Sequence, residues 1–297
     1  MNIGNKINDI TMWSHGDERA PHKPLLLLYA LSVLFRESRR WIPYIEIDEK
    51  LKTLLIEFGP FRKSHHPEYP FWRLQNDGIW ELKNACNVMC RQSNTDAKKS
   101  ELIKYNVEGA FTSEVYNQLK ADKKLIISLM EQILNRNFPE SIHSDILQAI
   151  GLGSDLSSFS VVNIQRDATF RDRILKAYEY KCAICGFDVR IHNQTIGLEA
   201  AHIKWHQAGG PDGEDNGLAL CSIHHKLFDY GAFSLTSNKS TITLLVSDCA
   251  HGTKGFDEWL MAFHKKKIKQ PQHPDYIPRN EFVEWHIREV FKGYSRY

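Results

Sequence analysis

Two short knuckles of cysteine and histidine constrain this chain more than any other feature. Cys182-Ala183-Ile184-Cys185 is a CxxC, and after 35 intervening residues Cys221-Ser222-Ile223-His224 is a CxxH. A two-residue gap lets both donors of a knuckle face one ion, and thiolates with imidazole suit tetrahedral zinc. Two such knuckles make a closed structural Zn²⁺ site, so the segment between them must leave one point and return to it. A redox CxxC would need no second knuckle. In a reducing compartment, clustered cysteines read as metal ligands before disulfides. Cys86, Cys90 and Cys249 stand apart and read as ordinary buried cysteines.

The residues between the knuckles carry chemistry. Leu198-Glu199-Ala200-Ala201-His202-Ile203 reads as a strand with His202 near its end, and Asp212 to Gly217 is a polar loop. Leu218-Ala219-Leu220 leads into Cys221, after which a helix begins. His225 and Asp229 share a face of that helix, four residues apart. The expected clamp therefore pins a strand, a loop and a helix where His202, Asn216, His225 and Asp229 can converge. An imidazole takes a proton from water near neutral pH, and a divalent cation stabilises charge on a phosphoryl oxygen. That set suits metal-assisted hydrolysis of a phosphodiester.

Here the sequence resembles the HNH endonuclease family, over roughly Phe170 to Leu235. The resemblance rests on Glu199-Ala200-Ala201-His202-Ile203, Asp215-Asn216-Gly217-Leu218-Ala219-Leu220-Cys221 and His224-His225-Lys226-Leu227-Phe228-Asp229. It implies a ββα-metal fold with His202 as general base, Asn216 orienting the base or loop or touching the metal, and His225 as ligand of a catalytic Mg²⁺ or Mn²⁺. Asp229 is the expected second ligand. Cys182, Cys185, Cys221 and His224 would hold the structural zinc. Two positions depart from the common pattern: Ala201 stands where many members have an acidic ligand just before the base, and His224 where the fourth zinc ligand is usually Cys.

The N-terminal half has a different character. Pro24 suits the first turn of a helix that continues through the apolar run to Phe35, and a second helix is expected over Ile45 to Phe58, stopped by Gly59 and Pro60. From Phe61 to Arg73 cations alternate with aromatics, a composition that serves phosphate and shape-selective contact as readily as a packed surface loop. Asn76-Asp77-Gly78 is a turn signal, expected to join two short strands. Gly151 to Ser158 reads as a linker.

Pro21-His22-Lys23-Pro24-Leu25-Leu26-Leu27-Leu28, Glu57-Phe58-Gly59-Pro60 and His66 to Gly78 are similar to the sulfur-binding domain of phosphorothioation-dependent restriction endonucleases. In that family this domain precedes an HNH domain. The resemblance implies a pocket in which Tyr69 and Pro70 wall the sulfur and His22 and Lys23 border the charged linkage. Arg73 stands where the family's further wall residue is often small.

The expected class is α+β. Residues 1–150 form a mostly helical recognition domain with a small hairpin, 151–160 a linker and 161–297 an HNH domain stapled by zinc. The expected partner is double-stranded DNA carrying phosphorothioate, cut by a homodimer or two recruited copies. Rivals are an HNH nuclease with another trigger, such as methylated DNA, and a non-catalytic zinc DNA-binding protein. A net charge of +2 gives no global basic signature, so DNA contact must come from local patches. The basic run Lys265-Lys266-Lys267-Ile268-Lys269 reads first as a solvated face, with non-specific phosphate contact as the other reading. No apolar run reaches the roughly 18 residues of a membrane span. The polar start, Met1 to Asp9, lacks a signal-peptide core, and a cytoplasmic location is expected.

Overall fold

The structure, a computed structural model, describes residues 17–92, 95–153, 168–238 and 241–297. The start of the chain and most of the expected linker, from residue 154 to 167, lie outside the described residues. The described chain divides into two compact units. The first runs to Phe138 and resumes at His143; the second takes Pro139–Ile142 and the chain from residue 168 onward.

The first unit is built on α1 (His22–Glu37), buried on every side from Pro24 to Leu34. A helix apolar all round must be central, and α1 packs against α2 (Tyr44–Phe58), α3 (Glu68–Arg73) and α6 (Lys123–Asn137). Pro24 falls in the first turn, where its missing N–H leaves no helical bond unmade. Leu51, Leu54, Leu55 and Phe58 of α2 form one buried stripe, as their spacing predicts. α4 (Lys99–Lys104), α5 (Ser113–Ala121) and α7 (His143–Ala149) complete the helices of this unit.

The aromatic segment folds differently from expectation. Glu68–Arg73 is helix rather than loop, with Pro67 at its N-cap and Pro70 in its first turn, where proline is tolerated. A further helical turn, Leu74–Asp77, ends on Gly78 at φ +71°. The Asn76-Asp77-Gly78 turn is thus real, but it joins a helix to β2 (Trp80–Lys83). The partner of β2 is β3 (Glu108–Phe111), which also pairs with β1 (Ile42–Pro43) in the order β1-β3-β2, all antiparallel. Proline's fixed φ and missing N–H favour the start of a helix over the first arm of a hairpin.

In the second unit, α8 (Ala168–Ala177) lies against the hairpin of β6 (Leu198–His202) and β7 (Gly217–Cys221). The register is antiparallel and sets Leu198 opposite Cys221 and His202 opposite Gly217. α9 (Ser222–Asp229) follows β7 directly, giving the ββα order. A small ribbon of β4 (Arg190–Ile191) and β5 (Gln194–Thr195) precedes β6. A second hairpin, β8 (Phe233–Asn238) and β9 (Thr241–Val246), supports α11 (Asn280–Glu289); α10 (Lys254–Trp259) lies between them in sequence. Lys265 to Lys269 runs along β9, with backbone bonds from Lys265 to Leu244 and from Ile268 to Ile242. Its lysine side chains are exposed while Ile268 is buried. Cys86, Cys90 and Cys249 are exposed, against expectation, because all three lie outside helices and strands.

Candidate functional site

The second unit folds its two knuckles onto one point. Gly186 takes φ +77° and donates its N–H to Cys182 O at 2.9 Å, closing the first knuckle in a left-handed turn that glycine adopts without strain. Ala183 N–H donates to Ala219 O at 2.7 Å and ties that knuckle to β7. The second knuckle is the end of β7 and the first turn of α9. The donor atoms of Cys182, Cys185, Cys221 and His224 all lie within 4.8 Å of one another, the one such metal-ligating group among the described residues. His224 donates from Nε2 to Trp259 O at 2.9 Å, which turns Nδ1 toward the sulfurs, 3.1 Å from Cys221 Sγ. Hydrogen bonds from Cys185 and Cys221 hold the Cys182 thiol far below the usual thiol range. Burial opposes a charge on His224, but bonds to Cys182 and Cys185 raise it to about 9. Three sulfurs and an oriented imidazole fit a soft divalent cation.

His202 ends β6. Its ring stacks on Phe170 of α8, with centroids 4.0 Å apart and planes at 11°, and its Nε2 bonds Asp212 Oδ1 at 2.7 Å. In the neutral tautomer that donates from Nε2, the basic lone pair is on Nδ1. Asn216 is fully buried and stitches the loop: Oδ1 accepts the Lys204 N–H at 2.8 Å, and Nδ2 donates to the carbonyls of Lys204 at 3.0 Å and Pro211 at 2.9 Å. Gly210 lets the loop close this tightly, because a Cβ there would overlap the Lys204 carbonyl. Lys204 and His206 lie on this loop. His206 sits beside His202, with ring centroids 6.0 Å apart.

His225 lies between two carboxylates. Nδ1 meets Glu199 Oε2 at 2.6 Å, and Nε2 meets Asp229 Oδ2 at 3.2 Å. Burial alone would lower the imidazole, but the charges and bonds of Asp229 and Glu199 raise it to about 9. Burial likewise works against the Asp229 carboxylate, yet His225 and the Ser141 hydroxyl hold it below the usual range. Asp229 sits behind the ring, away from solvent. Glu199, Asp212, Phe170 and Ser141 were not singled out by sequence. For Glu199, strand alternation was an available signal: it shares a face with Ala201, two residues on, and lies opposite in parity to His202.

In the first unit, His22, Lys23, Tyr69, Pro70 and Arg73 all line one pocket of about 380 Å³, with Arg62 and His65 also in its lining. The N-terminal turn of α1 contributes the first two and α3 the other three. Lys23 Nζ is held by Asp77 at 2.6 Å. Tyr69 is gripped by His66, stacked at 4.9 Å, and by the guanidiniums of Arg73 and Arg91 at 5.1 and 5.0 Å. Arg73 is itself clamped by two 2.6 Å bonds to the buried carboxylate of Asp96. Burial, with the nearby charges of His65, His66 and Arg62, lowers His22 to about 4.

Residues 1–155 match the family model of the ScoMcrA-like DNA sulfur-binding domain, which covers more than half the chain. The chain belongs to the ScoMcrA-like sulfur-binding family. Residues 182–236 match the HNH endonuclease family, so a nuclease domain follows the sulfur-binding-type domain. The structure of the sulfur-binding domain of ScoMcrA complexed with phosphorothioated DNA is 19% identical, with a TM-score of 0.45, over 52% of this chain and 98% of that one. The Type IV phosphorothioation-dependent restriction endonuclease ScoMcrA is 18% identical, with a TM-score of 0.45, over 54% of this chain and 34% of that one. The modification-dependent TagI restriction endonuclease is 22% identical, with a TM-score of 0.29, over 44% and 41%. No curated protein matches. Among the described residues, no helix is long and apolar enough to cross a membrane.

Proposed function

We propose that this protein is a modification-dependent restriction endonuclease that reads phosphorothioate linkages in duplex DNA with its first domain and hydrolyses phosphodiester bonds with its HNH domain. The observation that carries this reading is the meeting of His22, Lys23, Tyr69, Pro70 and Arg73 around one pocket, beside an independent match of the second half to HNH endonucleases. Sulfur is larger, softer and less hydrated than the phosphate oxygen it replaces. A wall of ring carbon from Tyr69 and Pro70 costs an oxygen its hydration and accepts sulfur. Lys23 and Arg62, both in the pocket lining, supply charge for the remaining oxygens.

In the second domain His202 takes the proton from the attacking water, with Asp212 fixing its tautomer. Asn216 holds the loop that carries Lys204. His225 would hold a Mg²⁺ or Mn²⁺ ion, which would supply stabilisation of charge on the reacting phosphate. Zn²⁺ is the ion we assign to Cys182, Cys185, Cys221 and His224, where it holds hairpin and helix together. One such site cuts one strand, so cleavage of a duplex takes a homodimer or two recruited copies. Residues 1–150 act as the reader and 161–297 as the nuclease.

Matched plasmids, with and without phosphorothioate, incubated with Mn²⁺ or Mg²⁺ test the reading. Cleavage of the modified plasmid alone is expected. Equal cleavage of both overturns the sulfur trigger and favours another; tight binding with no cleavage of either favours a non-catalytic DNA-binding protein.

A further inference from the structure

A hard divalent cation is best held by carboxylate oxygen, keeps several waters, and therefore needs a ligand with an open side. Two carboxylates touch His225, and they differ. Asp229 has 2% of its side chain exposed, and its Oδ2 is already shared by His225 Nε2 and the Ser141 hydroxyl. Glu199 has 45% of its side chain exposed; its Oε2 faces His225 Nδ1 at 2.6 Å and its Oε1 accepts the Ser222 hydroxyl at 2.7 Å. Glu199 thus joins β6 to the first turn of α9 at a point that solvent reaches. Ala201, the next residue on the same strand face, is a fully buried methyl and offers no oxygen.

We propose that Glu199 is the carboxylate ligand of the catalytic cation, acting with His225 Nδ1, and that Asp229 is a positioning residue that fixes the imidazole from Nε2. This rests on the nuclease reading of the second domain. It assigns the missing acidic function to a residue three positions before His202 rather than one. It also explains the division of burial: a residue that orients an imidazole works best when dry, and a residue that receives a hydrated ion works best when half-open.

The probe is Mn²⁺ alone, its binding to the full zinc-loaded chain followed by electron paramagnetic resonance. E199Q is expected to weaken Mn²⁺ binding by about tenfold or more, with zinc content and melting unchanged. S222A, which removes the hydroxyl bond and keeps the carboxylate, is expected to stay within about threefold of the parent. D229N keeps an acceptor for Nε2–H and is expected to retain the nitrogen coupling of His225 to bound Mn²⁺. Unchanged binding by E199Q overturns the assignment, as does an equal loss in S222A or abolition of binding by D229N alone. If the parent cuts DNA while E199Q holds Mn²⁺ as tightly, only the ligand assignment fails. If the parent neither binds Mn²⁺ nor cuts any DNA, the nuclease reading fails and the assignment with it.

Discussion

Asn216 and Lys204 are joined by two hydrogen bonds between the Asn216 side-chain amide and the Lys204 backbone: Oδ1 to the N–H at 2.8 Å and Nδ2 to the carbonyl at 3.0 Å. The pair anchors the chain two residues beyond His202, so the amide would act on the base we assign through the loop. Asn216→Asp keeps the shape and removes the donor, leaving the buried carbonyls of Lys204 and Pro211 without it. A loss of about 1–3 kcal/mol in the stability of the second domain is expected, from buried groups left unmade. Cleavage should fall while DNA affinity of the first domain holds. Denaturant melting and anisotropy on one preparation would show whether the two effects separate as stated.

His202 and Asp212 are the pair to which we assign the proton transfer. His202→Ala is expected to bind modified DNA as the parent does and to cut it about 10²–10⁴-fold more slowly, the usual worth of a positioned base. Asp212→Asn keeps the size of the partner and alters its charge and donors, so a smaller loss is expected, confined to turnover. Single-turnover cleavage rates measure both. Undiminished cutting by His202→Ala would remove it from the mechanism.

The knuckles were legible because ligand spacing is a local property: Cys-x-x-Cys and Cys-x-x-His place donors side by side whatever the rest of the chain does. The helices over 22–37 and 44–58 were legible for a related reason, since their apolar stripes and proline or glycine stops are read along one segment. Tyr69 and Pro70 line a pocket, in a segment whose composition reads as a loop. A stretch dense in proline reads as loop, but proline at an N-cap and in a first turn suits a short helix, and that is where Pro67 and Pro70 stand. Glu199 was hidden differently. A strand pattern shows that residue 199 faces opposite to residue 202, but not which helix covers that face. His225 arrives there only because β7 and α9 fold back, 26 residues later.

A metal ion at the Cys182, Cys185, Cys221 and His224 cluster would brace the second domain. Three of its four donors are buried or nearly so, and the cluster ties the turn after α8 to β7 and α9. Structural zinc contributes about 10–16 kcal/mol of apparent binding free energy at neutral pH, as large as a domain's whole stability of about 5–15 kcal/mol. Cys182→Ser is therefore expected to lose zinc and the cooperative melting of the second domain. His224→Cys keeps four donors at the same spacing and should keep the metal, losing only the bond to Trp259 O. Zinc content by atomic absorption, set beside calorimetric melting, tests the contrast. A Cys182→Ser protein with full zinc and an unshifted melt would contradict the assignment.

Tyr69 is held so rigidly, between His66, Arg73 and Arg91, that its ring can act as a fixed wall. Tyr69→Ala should weaken binding to phosphorothioate duplex by about tenfold and leave unmodified duplex nearly unaffected, because the wall discriminates while the charges attract. Arg62→Ala should do the reverse, lowering both affinities together and reducing the salt slope by about one. Anisotropy titrations of matched duplexes at several salt concentrations separate these outcomes. An equal loss on both duplexes in Tyr69→Ala would make the ring a general contact rather than a sulfur wall.

His22 makes the first domain's stability depend on pH in a specific window. Burial, with the charges of His65, His66 and Arg62, lowers its pKa from 6.5 to about 4. Below pH 6.5 the unfolded chain takes up a proton there that the folded chain refuses until about pH 4. The unfolded state then binds more protons, so stability is full above that window and falls as pH drops through it. The full effect is up to about 3 kcal/mol, at 1.36 kcal/mol per pKa unit. His22→Gln has no such proton to take up, so its stability should fall less between pH 7.5 and 5 than the parent's. Urea midpoints of the first domain's transition at both pH values give the comparison. Equal falls in parent and variant would show that His22 titrates normally, and that the pocket leaves the ring in water.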